Sequence, residues 1–141
     1  NAKMNEFQAA MGLCNLRHLE EEIQKRKKVV EYYNVLLKNI KGITCLNKKT
    51  NIKSNYAYYP VVFETKEQRE YIYEKLKEND IFSRRYFYPL TSDEGCFKNK
   101  YIKQDLQKAR YYSDRILVLP LYADLKNEEV ERIVDVIRKN L

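Results

Sequence analysis

Apolar residues in the first quarter of the chain recur every three or four positions, which predicts a helix from residue 4 to about residue 38. The first apolar stripe consists of Met4, Phe7, Met11 and Cys14. The second, out of phase with the first, consists of Leu16, Leu19, Ile23, Val30, Tyr33 and Leu37. The buried face therefore changes near residues 12–15. This change predicts two helices at an angle, or one helix that packs on two different bodies.

The rest of the chain alternates short apolar segments with amphipathic ones. Strands are predicted at 43–46, 56–63, 81–88 and 116–119, and Pro60 indicates an edge position or a bulge in the second of them. Helices are predicted from a capping box at Thr65 to about residue 79, over 106–114, and from an N-cap at Asn127 onward. This order predicts an α+β fold, with a small, mainly antiparallel sheet and helices on one face.

Composition indicates one domain with a true core, since the chain has 141 residues and 44% hydrophobic content. No apolar run approaches the ~20 residues of a membrane span. The three cysteines are scattered and there is one histidine. This argues against a disulfide framework or a metal site and favours a reducing, cytoplasmic compartment.

The net charge of +7 has two explanations. One is an anionic partner, such as a nucleic acid, a membrane or a small molecule that carries phosphate. The other is a solvated surface rich in lysine. The lysines are dispersed along the chain, which favours the second explanation.

Three segments are candidates for chemistry. Asn1 and Lys3 flank the start of the first helix, where a side-chain amide, a cation and free helix amides suit an anion. An ordinary helix start with Asn1 as N-cap explains them equally. The stretch 117–125 contains Pro120 between a strand and a helix and is interpreted as a structural corner.

The third segment spans residues 83–90. Strand alternation places Arg84, Tyr86 and Tyr88 on one face and Arg85 and Phe87 on the other. A guanidinium with two phenols suits a phosphate together with a sugar or base, and it equally suits single-stranded RNA. An exposed sheet face with paired aromatic side chains is the remaining explanation.

The sequence has no glycine-rich phosphate loop and no evident set of nucleophile, base and acid. It begins with Asn, and its opening block reads like the interior of a protein. We therefore expect the chain to be the C-terminal part of a longer protein and not a complete enzyme.

The opening and closing blocks resemble a known family. Residues 1–10 follow the pattern Asn-x-Arg/Lys-Met-x-Glu-x-Gln-Ala-Ala of the DegT/DnrJ/StrS family of sugar-nucleotide aminotransferases, which depend on pyridoxal phosphate (PLP). The closing match comprises Leu119, Pro120, Leu121, Leu125 and Val130. The resemblance implies the aspartate-aminotransferase (fold type I) architecture, with residues 1–141 as its small C-terminal domain. It also implies that residues 1–38 link this domain to a large PLP-binding domain outside this chain.

The resemblance also implies roles for individual residues. The lysine that forms a Schiff base with PLP is expected upstream, so this piece contains no catalytic residue and is expected to be inactive alone. Asn1 is expected to reach the PLP phosphate of the neighbouring subunit in a homodimer. Lys3 is expected to meet the donor carboxylate or a substrate phosphate. The expected sugar-nucleotide contacts are Arg84, Arg85, Tyr86 and Tyr88.

The activity implied is transfer of an amino group, usually from glutamate, to a nucleotide-linked keto sugar. Residues 84–90 resemble the branch that acts on dTDP-4-keto-6-deoxyhexoses. Many members carry a histidine a few residues after this segment, where the chain has Leu90, Thr91 and Ser92. The alternatives are a basic module that binds single-stranded RNA and a structural domain without a ligand.

Overall fold

The computed structural model describes residues 3–46, 51–97 and 106–141. Its elements are α1 (Glu6–Leu37), β1 (Ile43–Cys45), β2 (Tyr59–Phe63), α2 (Lys66–Glu78), α3 (Gln107–Arg115), β3 (Ile116–Leu119) and α4 (Asn127–Asn140). The strands form a three-stranded antiparallel sheet with β2 in the centre. The predicted α+β architecture with a small antiparallel sheet is therefore confirmed.

Helix α1 is continuous, so the prediction of two helices at an angle is wrong. Its C-terminal half packs into the domain through Val29, Tyr33 and Leu37, which are buried. Its N-terminal half extends away from this core, and Phe7 is 88% exposed. Leu16 is also exposed, so the second stripe becomes buried only further along the helix than its pattern predicts.

The core lies between one face of the sheet and helices α1, α2 and α4. The buried residues on the strands are Tyr59, Val61, Phe63, Leu117 and Leu119. Those on the last two helices named are Ile72, Leu76, Val130, Ile133, Val134, Val136 and Ile137. The helices over one face were predicted, because the apolar positions of α2 and α4 recur at helical spacing.

The helix caps follow local sequence closely. The side chain of Thr65 accepts a hydrogen bond from the Gln68 amide at 3.1 Å, as predicted for the start of α2. At α4 the N-cap is Lys126 and not Asn127, so that prediction is wrong by one residue. The carboxylate of Glu129 accepts from the Lys126 amide at 3.0 Å, which satisfies a donor at the N-terminus of the helix.

Pro60 lies in β2, the central strand, opposite Val118 of β3, so the predicted edge strand or bulge is wrong. Strand β1 pairs with residues 61–63 only, so Pro60 lies beyond the end of β1. Its missing amide hydrogen therefore removes no bond from the β1–β2 ladder. The next residue back, Tyr59, stacks on Tyr33 of α1 with ring centroids 4.6 Å apart.

The stretch 117–125 forms the corner that the sequence indicates. Leu117, Leu119 and Leu125 are buried, β3 ends just before Pro120, and the chain turns at residues 123–124. The phenol of Tyr33 donates to the Pro120 carbonyl at 3.0 Å, which fixes α1 to this corner. The corner is one wall of the pocket described below.

Residues 81–88 do not form the predicted strand. Arg84 alone makes a bridge, with its amide and carbonyl bonded to Val118 at 3.0 and 2.8 Å. After Arg84 the chain leaves β3, and the Ser113 hydroxyl donates to the Phe87 carbonyl at 2.8 Å. Side chains of neighbouring helices, rather than a strand ladder, therefore bind this segment.

Candidate substrate-binding pocket

An open pocket of about 360 Å³ lies where residue 84 joins the sheet edge. We call it the Arg84 pocket. Its walls are formed by residues 118–121, at the end of β3, and by the side chains of Tyr58, Phe82, Arg84, Tyr86 and Tyr122. The backbone bridge between Arg84 and Val118 fixes the guanidinium-bearing side of the pocket relative to β3.

The charge of Arg84 is not neutralised by a described acidic residue. Arg84 is exposed and forms no ion pair with any carboxylate of the described residues. Its polar neighbour is the phenol of Tyr86. A guanidinium in this state is suited to bind an anionic oxygen of a ligand.

The two phenols beside Arg84 lie next to each other, with the ring centroids of Tyr58 and Tyr86 5.2 Å apart. The interaction with the Tyr58 phenol, followed by that with the Arg84 guanidinium, lowers the pKa of Tyr86. The same interaction between the phenols raises the pKa of Tyr58. The Tyr86 hydroxyl and the Arg84 guanidinium both line the pocket, where each can donate to a ligand oxygen.

Arg85 points away from this pocket. Its Nη1 lies 2.9 and 3.2 Å from the two carboxylate oxygens of Glu70 on α2. Its guanidinium carbon is 4.4 Å from the centre of the Tyr73 ring. Both contacts hold the Arg85 guanidinium against α2, so it does not lie beside the Arg84 guanidinium in the pocket.

Tyr88 also lies on the side of Arg85, which contradicts the predicted alternation. Three cations surround its ring, with Arg69 at 4.6 Å, Lys66 at 5.3 Å and Arg85 at 5.6 Å from the centroid. The interaction with Tyr88, followed by the charge of Asp114, raises the pKa of Lys66. The predicted common face of Arg84, Tyr86 and Tyr88 is wrong because the segment is not a regular strand.

Of the two residues of the predicted anion site before α1, the structure describes only Lys3. Asn1 lies outside the described residues. Lys3 is exposed and precedes the N-cap, which is Asn5. The side chains of Asn5 and Gln8 accept from each other's amides at 2.9 and 3.0 Å, so these two donors are already satisfied. The role of Lys3 stays a prediction.

Sequence reasoning did not find Tyr58, Phe82 and Tyr122, the other aromatic walls of the pocket. Tyr58 directly precedes β2 and Tyr122 follows β3, so their meeting depends on the β2–β3 register, in which Tyr59 faces Leu119. A prediction of the β2–β3 register would therefore have placed Tyr58 and Tyr122 near each other. Within the described residues, no cluster of three or more His, Cys, Asp or Glu side chains is placed to hold a metal.

Comparison with known protein families matches residues 1–138 to the DegT/DnrJ/EryC1/StrS aminotransferase family. The chain belongs to this family. Two relatives are dTDP-4-amino-4,6-dideoxy-D-glucose transaminases. The one from Escherichia coli is 40% identical over 94% of this chain, and the one from Shigella dysenteriae is 34% identical over 99%. This chain spans 37% and 38% of their lengths.

Solved structures of the family have the same fold. PseC from Helicobacter pylori, an aminotransferase of pseudaminic acid biosynthesis, matches 99% of this chain with a TM-score of 0.89 and 25% identity. The PLP form of the protein Spr1654 from Streptococcus pneumoniae matches 98% with a TM-score of 0.87 and 26% identity. This chain covers 38% and 36% of those two chains.

These likenesses give no support to the RNA-binding alternative, and the face on which it depended does not form. Across the described ranges, no helix is both long and apolar enough to cross a membrane.

Proposed function

We propose that this chain is the small C-terminal domain of a PLP-dependent aminotransferase that acts on a nucleotide-linked keto-6-deoxy sugar. The favoured acceptor class is dTDP-4-keto-6-deoxyhexose, and the favoured amino donor is glutamate. The names of the Escherichia coli and Shigella relatives support this acceptor. The observation that carries the proposal is Arg84, a cation without a described carboxylate partner beside two phenols, in a member of this family.

In this proposal the Arg84 pocket binds the phosphate-bearing part of the substrate. Arg84 provides the charge for a phosphate oxygen, and the O–H of Tyr86 donates to the same group or to a sugar hydroxyl. The rings of Phe82 and Tyr122 provide apolar surface for a sugar or base. Arg85 and Tyr88 have a different role from the predicted one, because both are held against α2.

PLP, when bound, stabilises the electron pair that amino transfer releases at the carbon of the donor. The lysine that would hold it is expected in the upstream part of the protein. Asn1 carries an amide that suits a phosphate oxygen, and Lys3 adds an exposed cation near it in sequence. We assign Asn1 to the PLP phosphate of a neighbouring subunit and Lys3 to the donor carboxylate or a substrate phosphate.

The exposed apolar residues in the N-terminal half of α1 are an argument for a second domain that packs on this helix. Phe7 and Met11 are 88% and 69% exposed, and Met4 and Leu16 are exposed beside them. A stripe of large apolar residues at helical spacing is ordinarily covered in a folded protein. We propose that the large domain covers it, that the enzyme is a cytoplasmic homodimer, and that its product enters polysaccharide biosynthesis.

Borohydride reduction of the full-length protein with bound PLP tests the proposal. We expect the pyridoxyl group on a lysine upstream of Asn1, located by peptide mass. An adduct on a lysine of this chain, or none at all, would refute the assignment of domains. The matching activity assay incubates the enzyme with glutamate and dTDP-4-keto-6-deoxyglucose and follows 2-oxoglutarate, with the GDP-linked sugar as control.

A further inference from the structure

Arg69, on α2, is a charged residue in the interior of the domain. Its exposed fraction is 0%. Its Nε donates to the Asp114 carbonyl at 2.9 Å, and its Nη2 donates to the Ser113 carbonyl at 3.5 Å. The guanidinium carbon lies 4.6 Å from the centre of the Tyr88 ring. Arg69 therefore joins α2, the end of α3 and the segment that follows Arg84.

Burial of this guanidinium carries a free-energy cost. Its Nη1 has no hydrogen-bond partner among the described residues. Burial also lowers the pKa of Arg69, partly opposed by the charge of Glu70, whose carboxylate lies 3.3 Å from Nη2. An apolar side chain of similar length would avoid this cost, so stability alone does not account for an arginine here. A role in fixing local geometry does account for it.

The contacts of Arg69 show which geometry it fixes. Tyr88 stacks on Arg69, and Arg85 binds Glu70, the next residue on α2. Both side chains are thereby held on the α2 side of the segment. At its other end the segment is anchored to β3 through the backbone of Arg84. With 85 and 88 turned towards α2, residues 84 and 86 are left to face the pocket.

We propose that Arg69 is a positioning residue for the Arg84 pocket: it holds residues 85–88 against α2 so that Arg84 and Tyr86 line the pocket together. Ser113 assists, because its carbonyl accepts from Arg69 and its hydroxyl donates to the Phe87 carbonyl. The consequence for substrate affinity rests on the proposed function, whereas the consequence for the conformation of the segment does not.

Hydrogen–deuterium exchange on the full-length enzyme tests the structural part, with Arg69→Met as the variant. Arg115→Met is the matched control. Arg115 also donates to two backbone carbonyls, those of Glu64 and Tyr111, and lies 4.2 Å from the Tyr111 ring centre. None of these contacts reaches residues 84–88. We expect peptides covering 84–88 to exchange about tenfold faster in Arg69→Met, because the contact between the guanidinium and the Tyr88 ring is lost. Peptides of α4 should be unchanged.

Binding of thymidine 5′-diphosphate, measured by calorimetry, tests the functional part. We expect about tenfold weaker binding in Arg69→Met and unchanged binding in Arg115→Met. Ser113→Ala removes one contact to the segment and should shift both readouts in the same direction by a smaller factor. It keeps the inference testable if Arg69→Met does not fold.

Equal exchange of residues 84–88 in Arg69→Met and Arg115→Met would overturn the inference. So would faster exchange throughout the domain in Arg69→Met, since Arg69 would then stabilise the fold without positioning this segment. Arg84→Met identifies a failure of the proposed function. If it binds the nucleotide as tightly as the unmodified enzyme, the Arg84 pocket is not the nucleotide site, and the exchange data alone decide the role of Arg69.

Discussion

The two adjacent arginines at 84 and 85 are expected to respond in opposite ways to replacement by methionine. Arg85 is tied to the domain by its ion pair with Glu70, whose two side chains are 35% and 31% exposed, and by its stacking on Tyr73. At this exposure the ion pair is screened and contributes up to about 1 kcal/mol. The cation–π contact adds about 0.5–1 kcal/mol. Arg85→Met should therefore cost about 1–2 kcal/mol of folding free energy.

Arg84→Met should cost less than about 0.5 kcal/mol, since the side chain is exposed and has no described carboxylate partner. Its effect should appear in binding. A charge-assisted hydrogen bond to a phosphate is worth roughly 1.5–3 kcal/mol, which corresponds to about 10- to 150-fold in affinity. The Michaelis constant for the nucleotide sugar should rise by that factor, and the constant for glutamate should not change.

The assay pairs thermal unfolding with calorimetric titration of thymidine 5′-diphosphate on the same preparations of full-length enzyme. In the full-length enzyme, the loss in Arg85→Met should lower the melting temperature by at most about 2–4 °C per kcal/mol, because the shift falls as the chain lengthens. Its nucleotide affinity should fall less than that of Arg84→Met. If both variants lose stability equally, or if Arg85→Met loses more affinity than Arg84→Met, the division of roles between the two side chains is refuted.

Two further predictions concern α1. Phe7→Ala in the full-length enzyme should cost about 3–5 kcal/mol if the large domain covers this side chain. Val35→Ala, at a position on the same helix that is 71% exposed, should cost less than about 0.5 kcal/mol, and equal melting temperatures would exclude a cover over Phe7. Burial raises the pKa of Tyr33. The contribution of its phenol to the free energy of unfolding is therefore fully present below the ordinary pKa of 10.0. That contribution is lost at higher pH, because the phenol ionises in the unfolded chain before it ionises in the folded one. Tyr33→Phe should therefore lose less stability than the unmodified enzyme between pH 9 and 11 in urea unfolding, and parallel curves would contradict this.

Much of the fold follows from local sequence. The helices were predicted because apolar spacing and capping residues such as Thr65 act within a few positions of each other. The strands β1 to β3 were predicted because they are short apolar runs bounded by turns or loops. For α1, the apolar pattern did not show that the helix runs unbroken from Glu6 to Leu37, and the predicted change of buried face is not observed, because the first stripe is exposed.

The candidate site was predicted less well, and the reason is physical. The alternation argument assumes that the regular backbone of a strand sets the direction of each side chain. In residues 85–88 the conformation is set instead by contacts with α2 and α3. These contacts are made by Glu70, Arg69 and the Ser113 hydroxyl. None of these partners lies within a dozen positions of the segment in sequence.

The same tertiary contacts explain why the common face predicted for Arg84, Tyr86 and Tyr88 is wrong. An arginine beside tyrosines was recognised as suited to a phosphorylated sugar, and the Arg84 pocket has this chemistry. Of the two neighbouring arginines, the one without a described carboxylate partner is available to an anion in the pocket. The Glu70 carboxylate pairs with Arg85 and also lies 3.3 Å from Nη2 of Arg69, whereas Arg84 has no described acidic partner. Glu70→Gln should therefore release Arg85 without supplying the pocket with a second cation, because Tyr88 and Arg69 still hold the segment.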